Sequence, residues 1–242
     1  MKKTQIFVSA FLAGILIGVA GLAELLLRDT LPFAAALSLG AVLLAITVLN
    51  LHLYTAKAGY LLWDSTTVGK RAVHLLVSLV GNVVGAGAVG VALGYVFKSR
   101  GFAKEAVIER FDVDPKSAAV SALLCGILMF VAVHGYRRAR NEFVGSLVLF
   151  GAASAIVLCG FEHSITDVFF VAFTRTSMLR GLTVAGIAVL GNLVGAVLFE
   201  LLYEYKKSDS EVRREQEAEE EAESSSHRRH HLHHSTGDAE NN

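Results

Sequence analysis

The sequence predicts an all-α membrane protein of six transmembrane helices, built as two inverted three-helix repeats with the second and fifth helices broken. Three observations predict it. The 242 residues are 53% hydrophobic and only 18% charged, with a mean hydropathy of +0.52, and a soluble core of that length does not hide so much apolar side chain. Hydrophobic runs recur along the chain at lengths suited to a bilayer. Two of those runs carry polar knots at matching places.

The first run, Thr4 to Leu27, follows Lys2 and Lys3. Its start imitates a signal peptide, but it continues past the small residues near Ala20 for long enough to span, so it is read as a retained first helix. The second runs from Pro32 through Trp63 with a polar interruption, and the third covers about Ala72 to Phe97. The fourth covers about Ser117 to Tyr136, the fifth about Phe143 to Phe173, and the sixth about Leu179 to Tyr205. Each reaches or exceeds the ~20 residues that a helix needs to cross a bilayer.

The fifth run contains Gly160-Phe161-Glu162-His163-Ser164-Ile165-Thr166-Asp167. Ionisable groups near mid-membrane are costly unless they face protein or water. A helix broken there is tolerated where its backbone lines a cavity. The second run meets a comparable knot at Asn50-Leu51-His52-Leu53-Tyr54-Thr55-Ala56-Lys57. Two interrupted helices in corresponding positions are a sequence pointer to a transporter binding site.

The correspondence has a register. Leu79-Val80-Gly81-Asn82-Val83-Val84-Gly85-Ala86 recurs as Val189-Leu190-Gly191-Asn192-Leu193-Val194-Gly195-Ala196, an offset of 110 residues that also carries His52 onto Glu162 and Thr55 onto Ile165. The repeats then cover about residues 5–97 and 116–205 of a channel domain, 1–207. An odd number of spans per repeat makes the second copy enter from the opposite side. The Gly pairs give small faces for close helix approach, and Asn82 and Asn192 are expected to bond the carbonyls freed at the breaks. Glu162 is expected to bond freed amides there.

Lys70-Arg71, Arg137-Arg138-Arg140 and Lys206-Lys207 fall on the same side as the N-terminal lysines, so both termini are expected to be cytoplasmic. The mixed-charge connection Lys98 to Pro115 is expected to lie outside. Cys125 and Cys159 sit in apolar stretches and read as small buried hydrophobes. The tail, 208–242, is acidic from Glu211 to Glu223 and then rich in histidine. It is expected to be disordered, and its His227, His230, His231, His233 and His234 are candidate metal ligands. No metal or cofactor is expected in the channel domain, and no catalytic residues. Both breaks lack the Asn-Pro-Ala of aquaporins, and the chain has no phosphate loop, cysteine cluster or serine elbow. A sensor or scaffold acting through the His-rich tail is the alternative reading.

Gly160-Phe161-Glu162-His163-Ser164-Ile165, the Gly-Asn-x-x-Gly pairs, Lys116 before the fourth helix and Leu53-Tyr54-Thr55 in the first break resemble the formate/nitrite transporter family over about residues 5 to 205. The resemblance implies a homopentamer of aquaporin-like protomers in a prokaryotic cytoplasmic membrane, each passing small monovalent anions of weak acids such as formate, nitrite, hydrosulfide or acetate. Its partners are then the anion, the bilayer and further copies of the chain, with no nucleic acid. It assigns His163 to the pore, Lys116 to a place close by, and Thr55 to a loop able to gate it; Leu53, Tyr54, His52 and Ile156 complete the expected pore set. The physics is consistent: a bare anion is costly between apolar side chains whereas its neutral acid is not, and imidazole titrates near neutrality. The chain departs from the family pattern at Asn50-Leu51-His52, where Gly-Gly-Glu is usual, at Phe130, where the family has asparagine, and at Leu39, Leu43 and Ile156, where aromatic residues often narrow the passage.

Overall fold

The structure, a computed structural model, describes residues 2–62, 67–97 and 101–206. Trp63 and the whole tail with its candidate histidines lie outside the described residues. Among those described, all regular structure is helical: α1 (Lys3–Leu27), α2 (Pro32–Val48), α3 (Tyr54–Lys57) with a 3-10 continuation (Ala58–Leu62), α4 (Val68–Val96), α5 (Gly101–Phe111), α6 (Pro115–Arg138), α7 (Glu142–Leu158), α8 (Ser164–Thr174) and α9 (Met178–Lys206). Residues 1–200 form one compact unit, and the described residues beyond it are the end of α9.

Among the described residues four helices, α1, α4, α6 and α9, are long and apolar enough to cross a membrane. The second and fifth hydrophobic runs resolve into shorter pieces: α2 and α7 have 17 residues each, about 26 Å of helix at 1.5 Å per residue. Both end in the same way. Asn50 has φ 51° and Gly160 has φ 65°, the left-handed conformation that closes a helix. Around Asn50, its own N–H donates to Thr47 O and that of Leu51 to Ile46 O; around Gly160, Gly160 N–H donates to Val157 O and Phe161 N–H to Ile156 O. Asn50 and Gly160 stand 110 residues apart, so asparagine performs at the first break the turn that glycine performs at the second, as its short polar side chain allows.

Beyond each turn the chain is extended for a few residues and then starts a new helix whose first amides need partners. An asparagine and a serine supply them at each break. Asn82 Oδ1 accepts from Tyr54 N–H (2.7 Å) while Asn82 Nδ2 donates to Ala10 O (2.7 Å) and His52 O (2.9 Å). Asn192 Oδ1 accepts from Ser164 N–H (3.1 Å) while Asn192 Nδ2 donates to Ala122 O (2.8 Å) and Glu162 O (2.9 Å). Ser9 and Ser121 accept the N–H groups of His52 and Glu162, each at 3.0 Å. The hydrogen bonds beyond the two turns thus correspond pair by pair.

Close helix contact makes those bonds reachable. A methyl on Gly85 would collide with Phe11 O, and one on Gly195 with Leu123 O, so α4 lies on α1, and α9 on α6, backbone to backbone. Facing them, Gly14 and Gly126 meet the backbone of Asn82 and Asn192.

Two sequence expectations change. The connection between α4 and α6 contains a helix, α5, because Ala103, Val107 and Phe111 recur at helical spacing and are wholly buried. Cys125 is buried as expected, but Cys159 is exposed because it occupies the C-cap of α7 rather than its interior.

Candidate functional site

The two breaks meet at His163. It is the N-cap of α8, with its backbone extended and its Nδ1 accepting from Thr166 N–H (3.3 Å). Thr166 Oγ1 lies 2.8 Å from the same nitrogen. Because a backbone N–H can only donate, Nδ1 carries the lone pair, and the ring proton is assigned to Nε2. His163 Nε2 lies 3.0 Å from Thr55 Oγ1 and therefore donates to it. Thr55 belongs to α3, so one hydrogen bond joins the helix that restarts after the first break to the residue that ends the second. Both side chains are buried, His163 at 1% exposure and Thr55 at 0%.

Their surroundings are apolar. Leu53, Leu43, Leu39 and Ile156 are all buried in the same hydrophobic cluster as Phe169 and Phe173. Tyr54, beside Leu53, sends its hydroxyl to Val189 O on α9 (2.9 Å), tying the first break to the far wall. Phe130 fills the space against Gly59, where any Cβ would strike its ring, and stacks on His134 at 4.7 Å.

A cavity approaches each break. One, of about 270 Å³, reaches His52 and Lys57. The other, of about 520 Å³, reaches Gly160 and Glu162. His52 and Glu162 each precede the buried residues Leu53 and His163.

The second cavity holds a residue that sequence reading overlooked. Arg110 of α5 is within 3.2 Å of Glu162 Oε2, 3.4 Å of Asp167 Oδ1 and 3.7 Å of Glu24 Oε1. It also donates to Phe161 O (3.1 Å) and lies over the ring of Phe170, 5.2 Å from its centroid. Burial works against its charge, but Asp167, Glu162 and Glu24 outweigh that and raise its pKa. The Glu162 carboxylate, expected to take up freed amides, is instead paired with Arg110, since Asn192 and His163 already serve those amides. The only sequence signal for Arg110 was its place three residues after Val107 on a helix with one apolar face.

Lys116 sits exposed in the first turn of α6, where Asp114 caps the helix. Ser117, first through its hydroxyl and then through its N–H, and the N–H of Lys116 hold the Asp114 carboxyl below the usual carboxylate range. Among the described residues no group of three or more histidine, cysteine or acidic side chains is arranged to hold a metal ion.

Comparison with known proteins agrees with this architecture. Residues 1–206 match the family model described as "Formate/nitrite transporter". A solved structure described as an "FNT family ion channel" superposes with a TM-score of 0.73 at 19% identity, covering 84% of this chain and 90% of the other. One described as a "Pentameric formate channel with formate bound" gives 0.72 at 18% identity, covering 85% of this chain and 97% of the other. At such identities these likenesses speak for the fold. No curated protein matches the sequence.

Proposed function

The chain belongs to the formate/nitrite transporter family, whose members are channels rather than enzymes, and from that premise we propose that it conducts small monovalent anions of weak acids, formate and nitrite first among them. The solved pentameric channel with formate bound that shares its fold supports this substrate class and a homopentameric assembly, in which we place one pore in each protomer. The matched bonds at the two breaks support six spans in inverted repeats, each of the shorter helix pairs completing one span. The basic residues near the ends of α1, α4, α6 and α9 support cytoplasmic termini in a cell membrane.

The observation that carries the reading is the buried Thr55–His163 hydrogen bond between two cavities. An anion arriving there competes with Thr55 Oγ1 for the Nε2–H of His163. Leu53, Ile156, Leu43 and Leu39 make a bare charge costly on either side, so the cheapest traveller is the acid in its neutral form, its proton taken up at one mouth and released at the other, while the Nε2–H of His163 supplies a hydrogen bond. Thr55 then acts as the gate, since its hydroxyl must release the imidazole. On this reading Lys116 concentrates anions at its mouth by long-range attraction, while Glu162, Asn82 and Asn192 hold the breaks open.

Uptake into proteoliposomes of formate, nitrite, hydrosulfide, acetate and lactate tests this, in acid and near neutrality, with wild type and His163→Phe compared. Uptake that rises in acid and falls in the variant is expected. A folded oligomer that passes none of the five overturns the proposal.

A further inference from the structure

The 110-residue register that places Asn82 on Asn192 also places His52 on Glu162 and Lys57 on Asp167. The second break therefore has two carboxyls where the first has two bases. Asp167 stands in the first turn of α8, its N–H donating to His163 O at 3.0 Å, and its side chain is wholly buried. Glu162 immediately precedes His163. Its N–H and its carbonyl are taken by Ser121 and Asn192, which fixes the side chain at the cavity that Glu24, Arg28, Glu109 and Arg110 also line.

The hydrogen bonds of this cluster do not close. Arg110 Nη2 carries two hydrogens and has three oxygens around it: Phe161 O at 3.1 Å, Glu162 Oε2 at 3.2 Å and Asp167 Oδ1 at 3.4 Å. Arg110 Nε also donates to Asp167 Oδ1, and Nη1 lies 3.7 Å from Glu24 Oε1. Glu162 Oε2 and Asp167 Oδ2 are left buried without a hydrogen-bond partner, although the two carboxyls lie within hydrogen-bonding reach of each other. Buried polar atoms are almost always satisfied, and two bare carboxylates sharing a site repel. A single proton between them removes both faults, because a protonated carboxyl donates where a carboxylate only accepts.

We propose that Glu162 and Asp167 share one exchangeable proton, and that this proton passes to the anion at the second mouth. It belongs to the pair rather than to either residue. The one negative charge that remains faces Arg110 on α5 and lies at the N-terminus of α8, where the helix dipole favours it. Among the described residues the other ionisable groups around the pair are Glu24 on α1, which Arg28 of the same helix offsets, His163 ahead of α8, and the buried Cys125 thiol on α6. Glu109 joins them at the cavity lining. An anion entering the cavity takes the proton: an O–H bond of the pair breaks as an O–H bond of the acid forms, and the neutral acid moves on past His163. The pair, left doubly negative, regains a proton from hydronium in the cavity, and acid leaving by this mouth returns its proton to the pair. At the first break His52 and Lys57 offer no such pair. The shared proton stands on the bonds of the cluster, while its transfer to the anion rests on the channel reading above.

Infrared difference spectroscopy of the purified full-length protein near neutral pH reads the shared proton as the C=O stretch of a neutral carboxyl. That band is expected to be lost in Asp167→Asn and in Glu162→Gln, either of which serves if the other fails to fold, and to persist in Glu109→Gln. Formate uptake into proteoliposomes reads the transfer. Asp167→Asn should slow uptake roughly tenfold or more near neutrality and converge on wild type in acid, where hydronium protonates the anion directly. A purely structural Asp167 would instead lower uptake equally at every pH, and that result overturns the transfer. A neutral-carboxyl band unchanged in both folded variants overturns the shared proton, whether or not any anion is carried. If wild type passes no anion, the channel reading and the transfer fall together, and the spectrum still decides the proton.

Discussion

Replacing Arg110 with methionine keeps much of the stem and removes the one cation that three carboxylates share. Deleting one partner of a buried ion pair costs about 3–5 kcal/mol, because the remaining charge is left without compensation. Glu24 and Glu162 border the cavity of about 520 Å³, so water takes over part of their solvation. Asp167 is 0% exposed and has no such recourse. A loss of about 3 kcal/mol follows, or roughly 6–12 °C in melting temperature if the scaling of soluble domains of similar length applies. Thermal unfolding of the purified oligomer measures it. Adding Asp167→Asn to Arg110→Met removes the stranded charge and should restore at least half of the loss. Acidification, which neutralises the carboxylates, should narrow the gap between variant and wild type. A shift below about 1 °C, or an Asp167→Asn that adds to the damage instead of relieving it, would refute the view that Arg110 holds the second break through its charge.

Asn82→Ala and Asn192→Ala each strand a buried amide and two carbonyls, so each should cost about 2–4 kcal/mol, with similar values in chemical unfolding if the two breaks are equivalent. Gly126→Ala and Gly195→Ala drive a methyl into the backbone of Asn192 and Leu123 and should abolish the folded peak in size-exclusion chromatography. Gly69→Ala, where nothing lies within 4 Å, should leave that peak intact. The Asp114 carboxyl is held below its ordinary pKa, so its cap stabilises α6 above the ordinary carboxylate range and is lost as pH falls through the lowered value; hydrogen exchange of the Lys116 and Ser117 amides should accelerate in that acidic window and nowhere above it.

Much of this architecture was legible in the sequence because the repeat is written in residues with few substitutes. Glycine at 81, 85, 191 and 195 and asparagine at 82 and 192 do jobs that depend on lacking a Cβ or on offering a donor and an acceptor together. The ends of α2 at Val48 and of α7 at Leu158 fall just before polar residues that a continuous apolar helix does not carry. Arg110 was not legible, since its partners are 57 residues away at Asp167 and on α1 at Glu24. Its one local mark, a place three residues after Val107, does not name those partners. The same holds for Cys159, whose exposure depends on where α7 stops, and for Asn50, whose likeness to Gly160 shows only once both take positive φ.

The two breaks separate what the backbone requires from what the mouths present. Each leaves orphaned amides and carbonyls, and the demand is the same on both sides, so serine and asparagine recur at Ser9 and Asn82 and again at Ser121 and Asn192. Lys57 and Asp167 occupy equivalent positions with opposite charge, and His52 answers Glu162. None of those side chains is needed to satisfy the backbone at its own break. Glu162 contributes only its main chain to Asn192 and Ser121, and His52 does likewise to Asn82. Charge is therefore free to differ where geometry is not. Two turns with one set of main-chain bonds thus carry cavities of different charge, set by a few side chains that the main-chain bonds do not constrain.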